Sequence, residues 1–164
     1  MLIRDGVSKI SNILYTISCW LIKIILVLMV LTTALQIICR VFFSALSWSE
    51  ELTRYLLVWS TFLGAGCVFK THGHISVLVF QNLLSPQIKK GIKVLVNLLC
   101  LLLFGIAAFY GFKYMSMQGN QLSSSLRIPM KYIYFSIPLG FSMMIVYAFD
   151  NILRVFFAKG ESEA

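Results

Sequence analysis

Residues 47–74 read SWSEELTRYLLVWSTFLGAGCVFKTHGH, and this stretch decides the fold. Its opening, Ser47-Trp48-Ser49-Glu50, has the capping-box pattern, in which a serine hydroxyl takes a first-turn amide and the glutamate reaches back to the serine amide. The pattern predicts a helix starting here. Glu50 and Glu51 fall in the first turn, where the helix dipole favours carboxylates, and Arg54 stands at i,i+4 from Glu50, a spacing that allows an ion pair. No charge follows until Lys70. The fifteen residues between, at ~1.5 Å each and with the flanking turns, are enough to cross the hydrocarbon of a bilayer. Trp48, Leu52, Tyr55, Trp59, Phe62 and Gly66 step by three and four and so share one helix face. Within it, Gly64-Ala65-Gly66 makes a smooth patch suited to close helix approach.

The whole chain supports that reading. Of its 164 residues 59% are hydrophobic and 12% charged, and its mean hydropathy is +0.87, values that exclude an ordinary soluble domain. An all-α integral membrane protein is expected. The net charge of +8 comes from basic residues that flank apolar runs, so it points to phospholipid and topology and not to nucleic acid. Cys19, Cys39, Cys67 and Cys100 lie in or beside the apolar runs, with no CxxC and no histidine at metal-ligand spacing. They read as small buried residues.

Taken in order, the chain predicts an amphipathic interfacial segment at about 3–19 and four spans at about 20–43, 48–69, 91–115 and 129–157. The N-terminal segment is expected to be retained, since hydrophobicity runs on past Lys23 with no small-residue cleavage site. Gln36 is the only strongly polar residue between Lys23 and Arg40, and a hydrogen bond to a neighbouring helix is its expected role. Gly73 and Pro86 bracket a run too short to span, residues 75–85, read as a short interfacial helix between spans two and three. Residues 113–127, with Gly119-Asn120 and Ser123-Ser124-Ser125, form the most loop-like part. A fourth helix from near Pro129 should kink near Pro138.

Four spans place both termini on one side. Arg4, Lys9, Lys23, Lys70, Lys89, Lys90, Lys93, Arg154 and Lys159 fall on that side, against Arg40, Arg54, Lys113, Arg127 and Lys131 on the other. The richer side is expected to be cytoplasmic, in a bacterial inner membrane. Of these, Lys23, Lys70, Lys89, Lys90 and Lys93 are the candidate lipid-headgroup contacts.

Trp48-x-Glu50-Glu51-x-x-Arg54, the aromatic-rich helix ending in Gly64-Ala65-Gly66, His74-Ile75 and the prolines Pro129 and Pro138 together resemble one family. It is the small membrane subunit, DctQ type, of tripartite ATP-independent periplasmic (TRAP) transporters. One departure is that Leu78, Val79 and Phe80 stand where many members carry an acidic residue after the histidine. The resemblance implies a heterodimer with a large, elevator-type membrane subunit that holds the sodium and substrate sites, and a periplasmic substrate-binding protein that feeds it. It further implies organic acids, such as sialic acid or C4-dicarboxylates, as cargo.

The residues themselves favour a scaffold over a conduit. A secondary transporter binds ions through intramembrane carboxylates or broken helices, and no Asp or Glu falls mid-span here. Asp150, the deepest, has Arg154 at i,i+4. His72 and His74 form an HxH without further ligands, so no metal, cofactor or catalytic residue is predicted. Trp48, Glu50, Glu51, Arg54, Tyr55, Trp59, Gly66 and His74 are the candidate partner contacts, with capping, ion pairing and core packing as their purely structural roles. A thiol oxidoreductase would need cysteine pairs in extracytoplasmic loops. An autonomous homo-oligomeric small transporter or efflux protein remains the alternative, with Glu50 or Glu51 as its coupling carboxylate.

Overall fold

A computed structural model of the protein describes residues 2–42, 44, 46–72 and 86–157, with side chains described except at 2–5, 72, 86–90, 93 and 154–157. Five helices account for nearly all of this: α1 (Leu2–Phe42), α2 (Ser47–His72), α3 (Pro86–Met117), α4 (Lys131–Tyr134) and α5 (Ser136–Phe157). Among the described residues four stretches are long and apolar enough to cross a membrane: Gly6–Phe42, Ser47–Thr71, Val94–Met117 and Lys131–Leu153. The expected interfacial run at 75–85 lies outside the described residues.

α1 is continuous for 41 residues, about 60 Å. Nothing in its sequence would break it, since it holds no proline and a single glycine, Gly6. The expected interfacial segment at about 3–19 and the first span at about 20–43 are therefore joined without a break as one helical rod. Thr16, Thr32 and Thr33 each donate to the carbonyl four residues back, at 3.0, 2.9 and 2.7 Å, so these hydroxyls are satisfied within the helix.

The fourth span does break. Pro138 has no N–H for the Tyr134 carbonyl, and its ring crowds the preceding turn. The helix stops at Phe135 and resumes at Ser136, whose hydroxyl donates to the Ile133 carbonyl at 2.8 Å. Pro129 does not open this helix. It sits in the loop, in an antiparallel bridge with Leu122.

In space α2 lies between α1 and α5, and α3 packs on the far side of α5 and on α4. The core sits around α5, where Tyr147 is 1% exposed and Ala148 fully buried, with Met144 of the same helix, Leu63 of α2 and Phe104 of α3 also buried. Phe104 links the layers, with ring centroids 5.1 Å from Phe69 and 6.0 Å from Phe141. The outer faces of α1 and α3 stay apolar and exposed, from Ile10 to Phe42 and from Leu95 to Met117, as lipid or another hydrophobic surface requires.

Glycines set the closest approaches. A Cβ at Gly66 would touch Tyr147 at 3.6 Å, whereas one at Gly140 would meet Phe62 Cβ at 2.9 Å and its carbonyl oxygen at 3.2 Å. Among the described residues nothing lies within 4 Å of a Cβ at Gly64, so of the two glycines of the Gly64-Ala65-Gly66 patch it is Gly66 that sets a close approach there. α1 and α2 are held in register by several side-chain pairs. Gln36 Nε2 donates to Glu50 Oε1 at 3.0 Å, Thr32 and Thr53 hydroxyls are 3.3 Å apart, and Cys19 and Cys67 Sγ atoms are 3.8 Å apart. The cysteines are thus neighbours across a seam, a pairing not apparent from their separation in sequence. With Cys39 and Cys100 replaced by serine, copper-phenanthroline oxidation should join Cys19 to Cys67 within the chain, read as a gel-mobility shift reversed by dithiothreitol. Failure to cross-link would mean that the α1–α2 register is wrong.

Candidate functional site

The polar residues of the loop end, where residues 43–46 and 118–130 connect the helices, converge on Glu51. Ser49 starts α2 by donating its amide and hydroxyl to the Leu46 carbonyl, at 3.3 and 2.8 Å. Ser47 and Glu50 do not close the capping box expected of them. The Ser47 hydroxyl is 2.9 Å from that of Ser125, and Glu50 takes its hydrogen bond from Gln36 across the seam, in place of pairing with Arg54. Consecutive residues on a helix point about 100° apart, so Glu50 meets α1 while Glu51 faces the 118–130 loop.

Glu51 holds that loop. Its Oε1 accepts from the Ser124 amide at 3.1 Å and its Oε2 from the Ser125 and Leu126 amides, both at 2.9 Å. Tyr55, one turn deeper, donates its hydroxyl to Oε1 at 2.5 Å. Three successive backbone N–H groups turned to one carboxylate form a concave anion site, here filled from within the chain. The loop is built for it. Ser123 and Met130 amides donate to Ile128 and Gln121 carbonyls, at 2.9 and 2.8 Å, and Arg127 turns the chain with φ 52°. A left-handed arginine is unfavourable, and the paired residues on either side of it hold the turn.

Beside this clamp is a cleft of about 390 Å³ lined by Ser47, Glu50, Glu51, Arg54, Tyr55, Ser124, Ser125 and Met130. The structure thus gathers Glu50, Glu51, Arg54 and Tyr55 from the candidate set, and leaves Trp48 37% exposed above them. Trp59 and Gly66 are elsewhere. Trp59 lies against Phe135, with ring centroids 6.4 Å apart, Phe62 stacks edge-on with Phe141 at 5.8 Å, and Gly66 meets Tyr147. The lower part of the aromatic stripe is therefore occupied by α5 of the same chain. His74 lies outside the described residues.

The lysines divide too. Lys23 lies over the Trp20 ring at 4.9 Å and is exposed. Lys70 turns inward, donating to Asn12 Oδ1 at 2.8 Å with the rings of Tyr15 and Tyr147 at 5.0 and 5.3 Å, so it ties α1, α2 and α5 together. The side chains of Lys89, Lys90 and Lys93 lie outside the described residues, as does that of Arg154, the pairing partner expected for Asp150. Asp150 itself is 2% exposed on α5, beside buried Asn151.

A bundle of four apolar helices with a polar, loop-built cleft at one end defines the class of a multi-pass membrane protein. Residues 29–158 match the family model described as tripartite ATP-independent periplasmic transporters, DctQ component, and the chain belongs to that family. It is thus a component of a TRAP transporter. Among its relatives, a putative TRAP transporter small permease protein of Haemophilus influenzae is 37% identical over 48% of this chain and 49% of its own. The C4-dicarboxylate TRAP transporter small permease protein DctQ of Pseudomonas aeruginosa is 24% identical over 67% of this chain and 55% of its own. The sialic acid TRAP transporter permease protein SiaT of Haemophilus influenzae is 26% identical over 77% of this chain but only 21% of its own length. The chain spans about half the length of the two small permeases and about a fifth of the longer one.

Proposed function

We propose that this chain is the non-catalytic small membrane subunit of a sodium-coupled, binding-protein-dependent secondary transporter for organic acids of the sialic acid or C4-dicarboxylate type. It braces a large membrane subunit, which moves the cargo, and its loop end helps to dock the soluble binding protein. The observation that carries this reading is the match of residues 29–158 to the DctQ component family, with relatives named as small permease proteins aligned over 48% and 67% of this chain. The apolar faces of α1 and α3 remain exposed in the single chain, which suits a second membrane subunit beside lipid.

With the more basic side cytoplasmic, both termini lie inside and the Glu51 clamp faces the periplasm. A reporter fused after Ala164 and one inserted near Ser85 should then read cytoplasmic, and one near Ser124 periplasmic. The opposite result at Ser124 would overturn the orientation. The decisive experiment is reconstitution. The purified chain alone should take up nothing in a sodium gradient, and uptake should appear only with the large subunit and the binding protein. Uptake by the single chain would sink the scaffold reading in favour of an autonomous transporter.

A further inference from the structure

We infer that α5 carries a phospholipid site, in which one acyl chain fills the groove below the Pro138 break and the phosphate lies at Lys113 and Lys131. The groove has a volume of about 440 Å³. Pro138, Leu139, Met143 and Val146 of α5 line its length, and Leu14 of α1 and Phe112 of α3 contribute from the neighbouring helices. α3 approaches closely at its upper end, where a Cβ at Gly111 would meet Ile137 Cγ2 at 2.8 Å and Pro138 Cδ at 3.4 Å, and Phe112 is the next residue. Ser142 brings the one hydroxyl among the lining side chains, and it already donates to the Pro138 carbonyl at 2.6 Å. The lining therefore suits an apolar occupant.

The dimensions select a single chain. From Phe135 to Val146 the groove follows the helix for ~16 Å, about the depth of one leaflet of a ~30 Å hydrocarbon core. Over that length its volume leaves a cross-section of roughly 27 Å², against the ~80 Å² of an α-helix ~10 Å across. A second helix does not fit. The charge at the upper end gives the headgroup. Lys113 follows Phe112, Lys131 stands four residues before Phe135 with its ammonium 5.2 Å from the Tyr132 ring, and both lysines are exposed. The carboxylates of this end, Glu50 and Glu51, meet α1 and the 118–130 loop, and neither lines the groove. A lysine at a helix end lays its stem on apolar surface and keeps its ammonium at headgroup level, which suits an anionic phospholipid of the leaflet at that end.

Native mass spectrometry of the full chain released from detergent tests this, with phosphatidylglycerol, phosphatidylcholine or free oleate added at the same low molar excess. The parent should keep one phospholipid per chain and hold phosphatidylglycerol roughly fivefold better than phosphatidylcholine, the scale of one lysine at an anionic surface, with oleate held least. Ser142→Trp, which fills the groove from an exposed position, should cut retention about fivefold or more. Leu139→Phe, a smaller filling, should act in the same direction and serves where Ser142→Trp does not fold. Added phosphatidylglycerol should raise the melting temperature of the parent and leave that of Ser142→Trp unmoved. Lys113→Gln together with Lys131→Gln should leave a phospholipid bound and abolish the preference for phosphatidylglycerol; a preference unchanged in that variant would overturn the headgroup placement. A parent that keeps no phospholipid, or folded groove-filling variants that keep it as well as the parent, would overturn the site. Adducts that climb with no step at one per chain would mark annular lipid only, and retention that vanishes on assembly with the large subunit would give the groove to that subunit's side chains. Either result would overturn the site as well.

Discussion

Glu51→Ala should release the 118–130 loop. Amide exchange at Ser124, Ser125 and Leu126 should quicken by on the order of tenfold or more, the scale of a lost hydrogen bond to a charged group. Trypsin should then cut after Arg127 well before it cuts the parent protein, since that bond is held in a turn whose anchor is gone. Glu51→Gln should fall between, because the amide keeps one carbonyl acceptor and turns two donors toward groups that are themselves donors. Tyr55→Phe should be milder still, as the three amides keep both carboxylate oxygens. Hydrogen exchange in detergent followed by mass spectrometry reads all three variants. If Glu51→Ala leaves the loop as protected as in the parent, the loop is held by its own turns and the clamp is ornamental.

Gly140→Ala should lower the melting temperature in detergent, although it adds one methyl group and raises helix propensity. The new Cβ would lie 2.9 Å from Phe62 Cβ, 3.2 Å from its carbonyl oxygen and 3.4 Å from its carbonyl carbon. Backbone atoms cannot rotate away, so α2 and α5 must separate, at a cost of about 1–3 kcal/mol. Gly64→Ala, on the facing helix α2 and with no described atom within 4 Å of the new group, should be neutral or stabilise by up to ~1 kcal/mol. Comparing the two removes the common effect of replacing glycine by alanine. Equal melting temperatures would mean that α2 and α5 do not cross at Gly140.

The span count, the start of α2 near residue 47, the break near Pro138 and the family resemblance were all legible in the order of residues. Each depends on a property that runs along the chain: charge-free length between Arg54 and Lys70, a missing N–H at Pro138, polar residues clustered between spans. Gln36 also declared itself, since a lone amide among apolar residues needs a partner.

What the order of residues left open was decided by which helices became neighbours. Glu51 and Glu50 look equivalent in sequence, yet one holds a loop more than seventy residues away and the other meets α1. Backbone amides carry no residue-type signature, so nothing in Ser124-Ser125-Leu126 marks them as the acceptor's partners. Spacing puts Trp59 and Gly66 on one face without saying what meets it, and the structure sets Phe135 against the one and Tyr147 of α5 against the other, just as the sequence shows no sign that Lys70 turns inward to Asn12. In water an apolar stripe identifies the face that must be buried. In a bilayer lipid-facing and protein-facing residues are both apolar, so hydropathy finds the spans, and only packing, through small residues such as Gly140 and the few polar pairs between helices, selects the faces that meet.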